Sequence, residues 1–187
     1  MSATLLVHAP TMPRSIIIDC ETLSTAPNAI ITEIAILVFD RAQMRQVDSL
    51  TVYPDILSQL ASGRTWTKDT IRFHKEQKSL PAKLQGLPPS SACVAVADFF
   101  TQYLPERVWI QGTCFDRPLL ESFFANYGAP AHLPWPYWKS RDARTLWDLA
   151  FPGVKHTPRP HKALEDCQAT LTDIAVSLKA LNRPEAA

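Results

Sequence analysis

Apolar positions along the chain follow two different periods. Ser15 to Asp19 is a nearly unbroken apolar run, Ile31 to Phe39 is a second, and Arg45 to Tyr53 alternates apolar with polar. These read as β-strands, the first two buried on both faces. Three strands in succession predict an antiparallel meander. A helical period then takes over. Lys68–Gln77 reads as a short helix and Ser91–Tyr103 as a longer one with Val94, Ala97, Phe100 and Tyr103 or Leu104 on its apolar face. "RVWIQG" (107–112) reads as a short central strand, and Arg117–Tyr127 as a helix stopped at Gly128. Pro130, Pro134 and Pro136 exclude a regular helix through "HLPWPYW" and predict a rigid aromatic loop. Arg141–Ala150 reads as partly helical. Ala163–Leu181 reads as an amphipathic helix with Leu164, Cys167, Leu171, Ile174, Leu178 and Leu181 on one stripe. Strands first, then helices around one more strand, predict an α/β domain with a central mixed β-sheet flanked by α-helices.

Composition narrows the class. With 187 residues, 46% of them apolar, and a net charge of +1, the chain is expected to form a single domain over 1–187, with a loose arm at 1–13 and a tail at 182–187. No apolar run approaches the roughly 20 residues that span a bilayer, and the start lacks the features of a secretory signal, so no membrane partner and a cytoplasmic location are expected. Cys20, Cys93, Cys114 and Cys167 are widely spaced, which points to buried reduced thiols rather than a zinc site or disulfides. A near-neutral chain attracts nucleic acid only through a local site or bound cations.

The candidate chemistry begins at "IIIDCETLS" (16–24), where an apolar run ends on Asp19 and Glu21. Residues two apart on a strand face the same side, so both carboxylates aim at one point and Cys20 faces away. Two buried anions repel, and something positive must offset them. Asp116 follows the 107–112 strand at the start of a helix, where the helix dipole favours a carboxylate. His161 and Asp166 bracket the start of the last helix. Singly, each fits an ordinary solvated acid or a helix cap. Together, they place four acids and a histidine at strand ends and helix starts.

That order, D-x-E, then FD before a helix, then H-x4-D, resembles the DEDDh group of 3′-5′ exonucleases, within the RNase H-like superfamily. "IIIDCETLSTAPNAIITEIAILVFD", "DTIRFHKEQ", "FDRPLLESFF", "PWPYWKSRDARTL" and "HKALEDCQA" are similar to the phage and prophage exonuclease VIII-like branch, over roughly residues 14–178. The chain departs from that branch at Ile110 and Gln111, where relatives carry Gly-Asn, and at Phe73 and His74, which replace a tandem aromatic.

The resemblance implies an RNase H-like exonuclease fold. It implies hydrolysis of DNA or RNA from a free 3′ end, releasing 5′-mononucleotides, with two Mg²⁺ or Mn²⁺ ions per site. Asp19, Glu21, Asp116 and Asp166 match the metal-binding acids, and His161 matches the general base. Thr22, Leu23 and Phe115 match positions that meet the terminal nucleotide, although Leu23 equally suits core packing. Lys155, His156, Arg159 and Lys162 surround the His161 loop as phosphate contacts or as ordinary surface charges, and Arg144 is a candidate to orient a carboxylate. Trp135, Tyr137 and Trp138 offer either base stacking or core and dimer contacts. The expected partner is a single strand of DNA or RNA, and a homodimer is left open. The alternatives are a catalytically weak nucleic-acid-binding subunit and an oligoribonuclease-like enzyme acting on very short oligonucleotides.

Overall fold

The computed structural model describes residues 14–156 and 158–182, so the arm expected at 1–13 and nearly all of the tail lie outside the described residues. The chain runs β1 (Arg14–Thr22), β2 (Ile31–Asp40), β3 (Arg45–Val52), α1 (Ile56–Ala61), α2 (Lys68–Gln77), α3 (Pro89–Tyr103), β4 (Arg107–Ile110), α4 (Thr113–Tyr127), β5 (Ser140–Asp142), α5 (Ala143–Ala150) and α6 (Ala163–Leu181). The sheet order is β3-β2-β1-β4-β5. The first three strands form the expected antiparallel meander, and β4 and β5 add in parallel to give a mixed sheet.

Both faces of the sheet are covered, which explains the continuous apolar runs of β1 and β2. Ile16, Ile18, Cys20, Ile34, Ile36 and Val38 pack on one side with Val96 and Phe100 of α3 and Leu119 and Phe123 of α4. Ile17, Ala35, Leu37 and Phe39 pack on the other with Cys167, Leu171 and Ile174 of α6. By the alternation of a strand, Asp19 and Glu21 continue the Ile17 side, so the sequence parity of β1 aims both carboxylates toward α6.

Several expectations are corrected. The buried face of α3 is Ala92, Cys93, Val96 and Phe100, while Val94 and Leu104 are exposed. "ACVAVADFF" is apolar nearly all round, and only docking selects its inner face. Leu181 is exposed at the end of α6, and Cys114 is exposed in the first turn of α4. Trp135 is buried and stacked on Phe100 at 4.7 Å, which removes it from the candidates for base stacking. The stretch Arg141–Ala150 is helical in part as expected, with α5 over Ala143–Ala150 and Arg141 in β5. Helix α1 was not anticipated, being only six residues long, and it carries Gln59 into the interior. The Gln59 amide accepts from Ile31 N–H at 2.9 Å and donates to Ile31 C=O at 2.8 Å. It thereby pairs the backbone where the β1/β2 register shifts between Glu21 and Thr22.

Candidate active site

Three junctions deliver the acids. The end of β1 presents Asp19 and Glu21. Asp116 comes from the first turn of α4, which begins four residues earlier than the Arg-Pro pair suggests, because its cap is remote in sequence. Asp142 of β5 accepts the Thr113 N–H at 2.8 Å and the Thr113 hydroxyl at 3.1 Å. The turn from β4 into α4 passes through Gly112 at φ +100°, where a side chain would be strained. Asp166 lies in the first turn of α6, where Glu33 of β2 accepts the Ala163 backbone N–H in place of a local cap.

These elements meet around a cavity of about 490 Å³, lined by Asp19, Glu21, Asp116, Asp166 and His161 together with Thr22, Phe115, Gln111, Phe73, His74, Arg144 and Arg159. Side-chain atoms of Glu21, His161 and Asp166 that could coordinate a cation lie within 4.8 Å of one another. Asp116 accepts a hydrogen bond from the Cys20 backbone N–H, inside the Asp19–Glu21 pair, and Asp166 accepts one from the His161 backbone N–H. The cluster is thus tied through main-chain donors as well as by proximity.

The electrostatics of the acids are uniform in sign. Burial, then repulsion from Asp116, Glu21 and Asp166, pushes the Asp19 carboxyl well above the usual carboxylate range. Burial, then Asp166, Glu33 and Asp116, pushes Glu21 up to about 8. Burial raises Asp116 to about 7 and Asp166 to about 6, with Arg144 and Arg159 respectively opposing the rise. His161 moves the other way: burial, then the nearby His74, lowers its imidazole below 6.5. Its backbone is left-handed at φ +56°, a conformation uncommon outside glycine, and its ring packs edge-on to Phe73 at 4.7 Å.

The donor set fits hard divalent cations. Four carboxylates with few cationic partners are held where each resists ionisation, and Asp166 Oδ1 is buried with no hydrogen-bond partner. Bound cations would relieve both conditions.

The remaining candidates are placed as follows. Thr22 is buried, its hydroxyl donates to Ser24 C=O at 2.7 Å, and it lines the cavity, as do Phe115 and Arg159. Leu23 lies elsewhere: it is buried with Ile30 and Ile56, so its place is in the core rather than on the cavity wall. Lys155 is exposed outside the cavity, and Lys162 pairs with Glu165 at 2.9 Å. Arg144 reaches the cavity and acts on Asp116. Tyr137 and Trp138 are exposed on the aromatic loop, away from the cavity. Gln111, marked in the sequence only as a departure from the exonuclease VIII-like branch, also lines the cavity, as do Thr25, Asp69 and Thr70. For Gln111 a signal existed, its position just past a central strand; the others have none.

A mixed five-stranded sheet with helices on both faces, and acids gathered at its strand ends, defines the RNase H-like exonuclease class. E. coli exonuclease I bound to single-stranded DNA, with zinc, superimposes with a TM-score of 0.64 at 14% identity over 92% of this chain and 41% of that one. E. coli exonuclease I in complex with a dA13 oligonucleotide gives 0.65 at 14% identity over 92% and 41%. This chain therefore spans about two fifths of the exonuclease I chains it matches. No curated protein matches the chain significantly. Residues 14–177 match the model of the 3′-5′ exoribonuclease Rv2179c-like domain, and the chain belongs to that family.

Proposed function

We propose that the domain hydrolyses the terminal phosphodiester of single-stranded nucleic acid at a free 3′ end and releases 5′-mononucleotides. The observation that carries this reading is the convergence of Asp19, Glu21, Asp116, Asp166 and His161 on one cavity. The four acids would hold two Mg²⁺ or Mn²⁺ ions. Such ions, when bound, supply the positive charge that activates water and stabilises a leaving 3′ oxygen. His161 is the proton acceptor: its imidazole is held below 6.5, so it is neutral at neutral pH and takes a proton from the attacking water. Phe73, edge-on to that ring, limits its rotation. Thr22 and Phe115 border the space for the terminal nucleotide, and Arg159 contacts the phosphate.

The family description favours RNA as substrate, while the structural neighbours hold single-stranded DNA. A time course on matched 5′-labelled DNA and RNA oligonucleotides in Mn²⁺ tests both. Stepwise shortening from the 3′ end, with a closed circle of the same sequence left intact, is the expected result. Nicking of the circle would show endonuclease action, and binding without shortening would show a non-catalytic subunit.

A further inference from the structure

Asp173 lies on α6 seven residues past Asp166, about 10 Å along the helix axis, and outside the cavity wall. It is nevertheless buried, and a buried carboxylate is costly without compensating partners. Both of its partners come from the segment that leads to His161. Arg159 forms an ion pair with Asp173 Oδ2, the two side chains retaining only 13% and 10% exposure. His156 Nδ1 lies 3.3 Å from the same oxygen.

Arg159 has two faces. One engages Asp173, and the other borders the cavity beside Asp19, Asp116 and Asp166. It is close enough to hold down the carboxyls of Asp19 and Asp166. Arg144, the second arginine of the wall, is exposed and has no ion-pair partner among the described residues. A guanidinium has five donors in a rigid plane, so one held by a carboxylate still presents others in a set direction. An arginine without such a partner must be immobilised each time it binds a phosphate.

We propose that Asp173 is a positioning residue that orients Arg159 as the fixed phosphate contact of this site. The proposal rests on the exonuclease reading above. The ion pair fixes the arginine in advance, and the second contact, to His156, ties the same segment to α6 upstream of His161.

Single-turnover and steady-state hydrolysis of a 5′-labelled single-stranded oligonucleotide in Mn²⁺ tests this, with folding followed by near-ultraviolet circular dichroism. Asp173→Asn is expected to lower kcat/KM about 10- to 100-fold, mainly through KM, as misplacement of a substrate contact does. Arg159→Ala should lose at least as much. The double variant should be no weaker than Arg159→Ala alone, because Asp173 acts through Arg159. Asp173→Glu, which keeps the carboxylate, should stay within about threefold of wild type. Independent, multiplying losses, a fall confined to kcat, or an Asp173→Glu variant as impaired as Asp173→Asn would each overturn the proposal. Should Asp173→Asn lose its native spectrum, Arg159→Lys tests the same pair from the other side: it keeps the charge without the planar fork, and an unchanged KM would overturn the role. Absence of hydrolysis by the wild type would overturn the exonuclease reading itself, whereas wild-type turnover with an unaltered Asp173→Asn overturns the positioning role alone.

Discussion

His74 Nε2 lies 2.8 Å from the carbonyl oxygen of Thr22, joining α2 to the last residue of β1. The carbonyl can only accept, so Nε2 carries the proton, and Nδ1 meets the Ser79 hydroxyl at 2.8 Å. The imidazole is buried and lies 4.0 Å from Glu21 Oε2. A side chain 52 residues away in sequence therefore closes the backbone directly after the Asp19–Glu21 pair. His74→Leu should leave the Thr22 carbonyl and the Ser79 hydroxyl unpaired, costing about 1–3 kcal/mol of stability. It should also loosen Glu21. Urea unfolding measures the first effect, and oligonucleotide turnover the second; wild-type values in both would show that the bond carries no weight.

Removing one acid should separate stability from activity. Asp166→Asn deletes a charge from a cluster of repelling anions, so the metal-free protein should melt at a higher temperature than wild type while hydrolysis is lost. Calorimetry with chelator present, beside turnover at saturating Mn²⁺, gives both numbers. Retained hydrolysis would remove Asp166 from the site.

The raised carboxyls also set a pH dependence. Protonation is favoured in the folded state relative to the unfolded chain, so the stability these groups contribute is complete below their ordinary range, about pH 4. It is lost as pH rises through about 6 for Asp166, about 7 for Asp116 and about 8 for Glu21. The metal-free melting temperature should therefore fall between pH 5 and 8 through these groups, and added Mn²⁺ should raise it more at pH 8 than at pH 5. Equal stabilisation by Mn²⁺ at both pH values would mean that the acids are not its ligands.

His161 is distinguished from the acids by what its loss spares. His161→Ala should lower turnover by about 10²- to 10⁴-fold, and His161→Asn similarly, since an amide cannot take a proton from water. Mn²⁺ affinity, measured by isothermal titration, should stay near that of wild type. A loss of affinity as severe as that of Asp19→Ala would make His161 a ligand, a role its nearness to Glu21 and Asp166 permits.

The sequence by itself determined the strand period of β1 and β2, the helix of Lys68–Gln77 to the residue, and the parity that places Asp19 and Glu21 on one face. These are local properties, legible because side-chain direction in a strand or helix follows from spacing alone. Asp116, His161 and Asp166 are legible only through their places at helix starts and the resemblance of the motif order to the DEDDh exonucleases. Tertiary structure decided the rest, for reasons of partnership. The start of α4 depends on Asp142, which caps it from 29 residues away. The inner face of α3 is selected by docking, since its apolar residues run nearly all round. Leu23 and Trp135 look alike in sequence whether they meet a nucleotide or a core, and only the neighbours Ile30 and Phe100 assign them to the interior. Asp173 carries no signal in the chain, because a polar residue on a helix reads as solvent-facing until Arg159 folds over it. Residue type and period fix which chemistry is available; which groups meet is settled by contacts between segments far apart in sequence, where spacing has no say.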